Sequence, residues 1–510
     1  MQLKAPLANP ATGFDELQFA FSGGRISEKT WSRWTPGAIS LAMPMTMHGQ
    51  SCRNVRAISR AAFAATVISL IPSSFLLECL AVAFGLTRSG VAAETIATRS
   101  AREVGPTRIE LTCVDPAATG YGTFQSHNQK VVSNRRGYFM SHIRTRNEAY
   151  TAQQWRLSWS RDGGRNFETL YEATHATNPP LLESDEADNL YLVRPDFIDG
   201  HAYLHRFLAT NGYRHPAITC IPNGAAGKFA MVLDQSRGQL CYFAHNNTFH
   251  LVGLDGVVRL STNLLMAGKG AVLQYPLLCL DTENRLHAAW TSQKHGVYLY
   301  WDIHYLHSPD GGIAWRTMAG TPVALPVVAD EGGPADRITL DDEFEVHTWL
   351  SSFLVKDGKA HFLYLAQANP PRQHYVRYDL KTARRDLDIH PEFKGQQLSL
   401  RGLDGFFANH QSASDSALYC IGRDARSNRL VCLASNDQGT TWRDYAASEV
   451  VSNPYSIGGC RQVTADGWII GSFTDQISPG PSKVYFFRIR AGLGLKAGTT
   501  IEANQASGSR

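Results

Sequence analysis

The stretch Tyr191–Arg206 combines residue types that could carry acid and anion-binding chemistry. Its pattern predicts two short β-strands that turn at Asp199-Gly200, a dipeptide favoured in tight hairpins. The outer ends of such a hairpin lie side by side, which places the phenol of Tyr191 beside the guanidinium of Arg206. A phenol can donate a proton and a guanidinium can clamp an anion. We therefore expect this hairpin to form part of a site for an anionic substrate.

A histidine upstream could complete the set of reactive groups. His127 lies in the segment Phe124–Lys130, where Asn128 and Lys130 make the surroundings polar and cationic. A neutral imidazole can take a proton near neutral pH, so His127 is the candidate base and Tyr191 the candidate acid. His142, in the next predicted strand, is a second candidate base or acid.

Further polar side chains in later predicted strands and turns are candidate substrate contacts. A lone histidine or tyrosine in a strand is more often a packed residue, so position alone does not assign these roles. The candidates are Asn128, Lys130, Tyr242, His245, His287 and His304.

The sequence gives no spacing that demands a metal. There is no Cys-x-x-Cys pair, and His201 and His205 lie about 13 Å apart if they are on a strand. Cys279 and His287 could share a structural ion across a turn. We expect no required cofactor and leave a structural Ca or Zn open.

Composition limits the class of partner. The net charge of +4 and the pI near 8.5 suit an anionic substrate and are too weak to indicate nucleic acid. No obligate protein partner is inferred. Seven cysteines follow residue 104, and no pairing can be assigned to them.

The first hundred residues differ from the rest. Residues 1–44 are interpreted as an upstream extension, and residues 45–93 as a secretory signal because basic residues precede an apolar run and small residues. A retained membrane anchor is the alternative, since the run is long enough to span a bilayer. Either way the body is expected outside the cytoplasm, secreted or periplasmic. Residues 94–104 would form a linker.

From residue 105 to 490, short runs of β-forming residues alternate with turn signals, and no long amphipathic helix pattern occurs. Such a pattern predicts a sandwich, barrel or propeller. The tail, residues 491–510, is rich in small and polar residues and is expected to be disordered.

Three segments with the pattern Ser-x-Asp-x-Gly-x-x-Trp/Phe favour the propeller. They begin at Ser160, Ser308 and Ser435, and each follows a run of β-forming residues. The pattern resembles the Asp-box, a hairpin turn between two strands of a propeller blade. We expect the Asp to cap turn amides and the Gly to adopt positive φ. A blade takes roughly 40 to 50 residues, so the chain should form one all-β propeller of seven blades, with six as the alternative.

Several segments between residues 122 and 326 resemble the Asp-box (BNR-repeat) propellers that include the ulvan lyases and the rhamnose–glucuronate lyases. They are Ser126–Val132, Tyr191–Arg206, Leu286–Trp290 and Asp302–Trp315. The resemblance implies a polysaccharide lyase that cleaves an acidic polysaccharide at a uronate by β-elimination. Arg206 would neutralise the uronate carboxylate, His127 or His142 would take the C5 proton, and Tyr191 would protonate the leaving oxygen.

Two other functions remain open. A sialidase-type glycoside hydrolase also folds as a propeller, but it needs an arginine triad, and the nearest segment, Val193-Arg194-Pro195, lacks the usual isoleucine. A non-catalytic carbohydrate-binding propeller would bind sugars on one face without chemistry.

Overall fold

The computed structural model describes residues 107–145, 153–244, 247–266, 271–294, 299–328, 335–340, 346–400, 404–410, 417–477 and 480–492. The predicted upstream extension, export segment and linker lie outside the described residues. His245 and the tail from residue 493 onward also lie outside them. The described part of the chain contains no helix with the length and hydrophobicity that a membrane span requires.

Within the described residues, strands make up almost all of the regular structure, with one short 3-10 turn at Ala209–Asn211. The first part of the chain contains β1 Thr107–Arg108, β2 Glu110–Ala118, β3 Val131–Asn134, β4 Gly137–Ile143, β5 Gln153–Ser160, β6 Glu168–Ala176, β7 Leu181–Ser184, β8 Leu190–Asp196, β9 His201–Phe207, β10 Ala217–Ile221, β11 Phe229–Asp234, β12 Gln239–Ala244, β13 Thr248–Gly253 and β14 Val258–Asn263.

The middle of the chain contains β15 Leu265–Met266, β16 Ala271–Leu280, β17 Leu286–Lys294, β18 Leu299–Ser308, β19 Trp315–Arg316, β20 Pro322–Val323, β21 Val327–Val328, β22 Asp336–Arg337, β23 Thr348–Lys356, β24 Lys359–Ala366, β25 Arg372–Asp379 and β26 Arg384–Ile389. The last part contains β27 Glu392–Phe393, β28 Gln396–Ser399, β29 Phe406–Asn409, β30 Leu418–Asp424, β31 Arg429–Ser435, β32 Arg443–Ala447, β33 Pro454–Gly459, β34 Trp468–Asp475 and β35 Ser482–Arg490.

Among the described residues, these strands pair into seven sheets of four or more strands. The sheets, numbered in chain order, are built on β3–β6, β7–β10, β11–β14, β16–β19, β23–β26, β29–β32 and β33–β35. The seventh sheet is completed by β2 from the start of the described chain. The innermost strands contact one another in order, and β34 contacts β3, so the sheets close into a ring. The predicted all-β propeller is confirmed.

The antiparallel order gives the ring two distinct ends. Chain segments that enter each innermost strand lie at one end with the turns between second and third strands; we call this the entry end. Turns between first and second strands, and between third and fourth strands, lie at the other end, which we call the box end. The position of a residue along its strand therefore determines whether its side chain lies near the entry end or the box end.

Apolar side chains from neighbouring sheets form the core. Leu190 and Leu192 of β8 face the first sheet, where they join Trp155. The alternating residues Tyr191 and Val193 face the third sheet. This period of two follows from the pleat, and burial of each large side chain contributes roughly 1.5–3 kcal/mol.

The three Asp-box-like segments form matching turns at the box end. In the second of them, Ser308 Oγ donates to Asp310 Oδ1 at 2.8 Å. Asp310 Oδ1 also accepts from the amides of Ile313 at 3.1 Å and Ala314 at 2.9 Å. Asp162 and Asp437 accept the equivalent amide bonds in the other two turns. The predicted capping by the carboxylate is present in all three.

The second glycine of each turn also joins two sheets. Gly312 has φ of +109°, and a Cβ built there would lie 2.5 Å from the ring of Phe249 in the third sheet. The equivalent positions beside Gly164 and Gly439 are filled by Phe486 and Tyr375 of the preceding sheets. Each turn therefore packs its glycine onto an aromatic ring of its neighbour.

Gly312→Ala should destabilise the fold by at least about 2 kcal/mol, because alanine is strained at this φ and its methyl group overlaps Phe249. Chemical denaturation of the two proteins measures this difference. Gly320→Ala is the matched control, since Gly320 also has positive φ but no atom within 4 Å of its Cβ position. Equal losses in the two variants would show that contact with Phe249 contributes nothing.

Candidate functional site

The Tyr191–Arg206 hairpin forms as predicted. Strands β8 and β9 pair with Tyr191 directly opposite Arg206, and Gly200 takes positive φ in the turn. Both side chains face the third sheet. The expectation that the phenol and the guanidinium are neighbours is therefore correct.

Their surroundings are those of packed residues. Tyr191 is 3% exposed, and its hydroxyl donates to Asp185 Oδ2 at 2.9 Å. Burial, and then the bond to Asp185, raise the pKa of Tyr191. Arg206 Nη1 donates to the carbonyl of Leu254 at 3.2 Å, in a turn at the box end. This pair ties the second sheet to the third.

His127 lies elsewhere, which corrects the expectation that it meets Tyr191 and Arg206. It is in the segment that enters β3 at the entry end, and its ring stands edge-on to Tyr275 of β16, with centroids 5.6 Å apart. Among the described residues, no hydrogen bond connects His127 with Tyr191 or Arg206. Tyr191 and Arg206 lie at the box end because Tyr191 is near the start of β8 and Arg206 is near the end of β9.

A tight loop presents His127. Gln125 has a left-handed φ of +64°, and its carbonyl accepts from the Asn128 amide at 3.0 Å. Asn128 Nδ2 donates to Gln125 Oε1 at 3.0 Å, so Asn128 braces the loop. Lys130 Nζ donates to the carbonyls of Gln125 and Asn128, and these two hydrogen bonds stabilise the loop.

Both ring nitrogens of His127 are buried and have no hydrogen-bond partner among the described residues. Burial, with Lys130 and Lys228 nearby, holds the pKa of His127 well below its usual value. The imidazole is therefore neutral near pH 7 and able to accept a proton. A buried polar group without a partner is costly in a fold, but His205 and His304 also have no partner for either nitrogen among the described residues. His127 differs from them because two lysines lie beside it, and this combination marks it as the candidate ligand site.

Two lysines accompany His127. Lys228, in the segment entering β11, has its Nζ 5.2 Å from the ring centroids of both Phe124 and Tyr275. Burial lowers the pKa of Lys228 to about 8 and that of Lys130 to about 7. Within the described ranges, no carboxylate forms an ion pair with either lysine. Lys130 Nζ is already bonded to the loop carbonyls, so Lys228 is the lysine whose charge is available to an anion from outside the chain.

Phe124, His127, Lys130, Lys228 and Tyr275, which we call the axial cluster, come from the first, third and fourth sheets. Sheets that far apart in the ring can meet only near its axis. Aromatic rings extend the cluster toward the fifth sheet. The ring centroids of Tyr275 and Trp349 lie 5.8 Å apart, and those of Tyr300 and Trp349 lie 4.4 Å apart.

His142 is placed away from the axial cluster. It is fully buried between the first and seventh sheets, with its Nε2 3.2 Å from Asp115 Oδ2. Arg144 and Arg156 also reach that carboxylate, at 3.3 and 3.5 Å. This network fixes β2, which completes the seventh sheet, against the first sheet.

The other predicted contacts are packed inside sheets. Tyr242 is buried, and its hydroxyl donates to the carbonyl of Gly224 at 2.8 Å, which braces the segment leading to Lys228. His287 is bonded to Asp281 at 3.1 Å and to Tyr305 at 2.8 Å. His304 is buried beside Trp290. None of these three contacts the axial cluster in the described part of the structure.

No group of three or more metal-ligating side chains is suitably placed within the described residues. Cys279 and His287 do lie opposite each other on β16 and β17. The proposed shared ion between them is not supported, because both His287 nitrogens already have hydrogen-bond partners.

A large open cavity of about 1380 Å³ lies at the box end of the axis. Gln129, Glu183 and Arg461 line it. Glu183 accepts from Arg461 at 2.7 Å and from Gln129 at 2.8 Å, while burial raises its pKa to about 7. These charged groups satisfy one another, in contrast to those of the axial cluster.

No protein-family model matches the chain, and no curated protein matches it by sequence. Similar solved structures exist. One is described as a new family of polysaccharide lyase, PL25 ulvan lyase, with a TM-score of 0.52 and 13% identity over 74% of this chain and 95% of that one. The same kind of lyase bound to -[GlcA(1-4)Rha3S]- gives a TM-score of 0.53 with the same identity and coverage. At this identity the likeness shows that the chain shares the fold of these two structures.

Sequence reasoning missed Lys228, Tyr275 and Trp349. Each lies at the entry end, in or just before the innermost strand of its sheet. A signal was present for Lys228, since Gly224-Ala-Ala-Gly-Lys228 is a run of small residues that ends in a lysine directly before a strand. Which loops meet at the axis could not be read from that signal.

Proposed function

We propose that this propeller is a polysaccharide lyase that cleaves an acidic polysaccharide at a uronate by β-elimination. The observation that carries the proposal is the neutral, unpartnered imidazole of His127 beside two lysines that lack carboxylate partners. The shared fold with a lyase bound to a glucuronate-containing chain supports it. The predicted export of the chain agrees with an extracellular polysaccharide.

Lys228 would neutralise the uronate carboxylate. The C5 proton of a uronate is weakly acidic while its carboxylate is fully charged, so a nearby cation must stabilise the enolate-like intermediate. Lys228 provides a compact ammonium whose charge no carboxylate of the described chain offsets. We therefore move the role first predicted for Arg206 to Lys228, and assign Arg206 and Tyr191 to holding the sheets together.

His127 would take the C5 proton as a base. The C5–H bond breaks, the C4–C5 double bond forms and the C4–O4 bond breaks. Since O4 is attached to the neighbouring carbon, the imidazolium formed at His127 can return the same proton to the leaving oxygen. One histidine then replaces the His127 and Tyr191 pair predicted from the sequence.

The hydrolase alternative needs arginines around the substrate carboxylate. The cations acting on His127 are lysines, so the lyase is favoured. A binding propeller without chemistry would retain the lysines and aromatic rings but would leave the polymer intact.

Incubation with a panel of uronate polymers, ulvan and rhamnose–glucuronate polymers first, tests the proposal. A lyase forms an unsaturated uronate that absorbs ultraviolet light, whereas a hydrolase gives new reducing ends without that absorbance. Reducing ends alone would refute elimination, and binding without either product would identify a binding propeller.

Activity should fall as pH rises. A lysine with a lowered pKa is an ammonium below that pKa and neutral above it. Lys228, which would clamp the uronate carboxylate, therefore loses its charge as pH passes through about 8. KM for the polymer should rise above pH 8, while the low pKa of His127 keeps the base active down to pH values well below 6.5. Steady-state kinetics across pH 5 to 10 measures both the rise in KM at alkaline pH and the activity retained at acidic pH. A rate that keeps climbing beyond pH 9 would contradict a lysine clamp.

A further inference from the structure

An exposed phenylalanine stands beside the axial cluster. Phe197 lies in the turn between β8 and β9 at the entry end and is 44% exposed. Its ring leans over Gly227, with the nearest ring atom 3.4 Å from where a Cβ of Gly227 would be. Gly227 directly precedes Lys228, so the ring lies against the residue next to Lys228 in the chain.

The turn that carries Phe197 is held in place. Its Gly200 carbonyl accepts from the Ala225 amide at 3.3 Å, and the Ile198 amide donates to Asp196 at 2.9 Å. The His201 ring accepts from the Asn223 amide at 3.2 Å. These bonds fix the turn that carries the ring against the segment that leads to Lys228.

That segment is in turn fixed to the His127 loop. The Gly227 carbonyl accepts from the side chain of Asn178 at 2.7 Å and from the side chain of Gln125. Phe197, Lys228 and His127 thus belong to one connected structure. A ligand at the clamp that extends toward the second sheet would meet the exposed face of Phe197.

We propose that Phe197 is a specificity-determining residue that stacks on the sugar next to the uronate held by Lys228. This inference rests on the proposed function. Sugar rings carry an apolar face of C–H groups, and a fixed aromatic ring provides large contact area at little entropic cost. Stacking on Phe197 would make the site prefer a chain of at least two sugars over a single uronate.

Phe197→Ala should raise KM for a polymer about 10-fold and change kcat less than about 2-fold, since the contact is the same in the ground and transition states. Phe197→Trp should keep the wild-type KM. The matched control is Ile198→Ala, because Ile198 is the neighbouring exposed residue, at 60% exposure. An unchanged KM for Phe197→Ala, or an equal rise for Ile198→Ala, would overturn the inference.

Affinity electrophoresis in gels containing the same polymers separates this inference from the proposed function, because it needs no catalysis. Retarded wild-type protein that forms no unsaturated product would refute the lyase, and loss of retardation in Phe197→Ala would still support stacking. Free glucuronic acid should compete equally well with the polymer for binding to the wild type and to Phe197→Ala. Wild-type protein that no acidic polymer retards would overturn both proposals.

Discussion

Replacing His127 with phenylalanine should lower kcat/KM for a cleaved uronate polymer by at least about 10²-fold, while the protein stays folded. The imidazole is the base in the proposed elimination, and a phenyl ring of similar shape can pack against Tyr275 but cannot take a proton. Removal of two unpartnered buried nitrogens should also leave stability equal or slightly higher. Product absorbance and thermal unfolding measure the two effects.

His205→Phe is the matched control for His127→Phe. His205 is also a buried histidine without a hydrogen-bond partner for either nitrogen among the described residues. It stands edge-on to Trp155, 5.5 Å between centroids, between the first and second sheets and away from the lysines. Its variant should therefore keep full activity. Equal activity losses in both variants would show that packing, and not proton transfer, explains the result.

Replacing Lys228 with methionine should lower kcat by at least about 10²-fold and raise KM, because the ammonium would stabilise the charge that develops as the C5 proton leaves. Methionine keeps much of the length and apolar contact of the stem beside Phe124 and Tyr275 without the charge. The fall in kcat distinguishes a group that acts in the transition state from one that only attracts the polymer.

Lys228→Arg gives a sharper test of the same residue. Arginine stays charged at every accessible pH, so the decline in activity above pH 8 should disappear in this variant even if its maximum rate is lower. Lys483→Met is the control, since Lys483 is also half-buried but lies in the seventh sheet. Wild-type kcat in Lys228→Met would remove Lys228 from the mechanism, and an unchanged alkaline decline in Lys228→Arg would assign that decline to another group.

Local sequence was sufficient for the elements and for contacts within one sheet. The alternation of β-forming residues with turn signals predicted the all-β propeller, and the Ser-x-Asp-x-Gly pattern predicted turns whose carboxylates cap amides. The pairing of Tyr191 with Arg206 was also predictable, because a hairpin's register depends on its own turn.

Tertiary structure decided which of these residues share a site. Strand polarity and ring closure direct Tyr191 and Arg206 to the interface with the third sheet. The same closure brings His127, Lys228 and Tyr275 together from three sheets, over sequence separations that no local pattern describes. Residue types and spacing thus determined the fold and one candidate base, His127. The position of Lys228 beside His127 was determined by packing around the axis, because long-range contacts form only when all the sheets are in place.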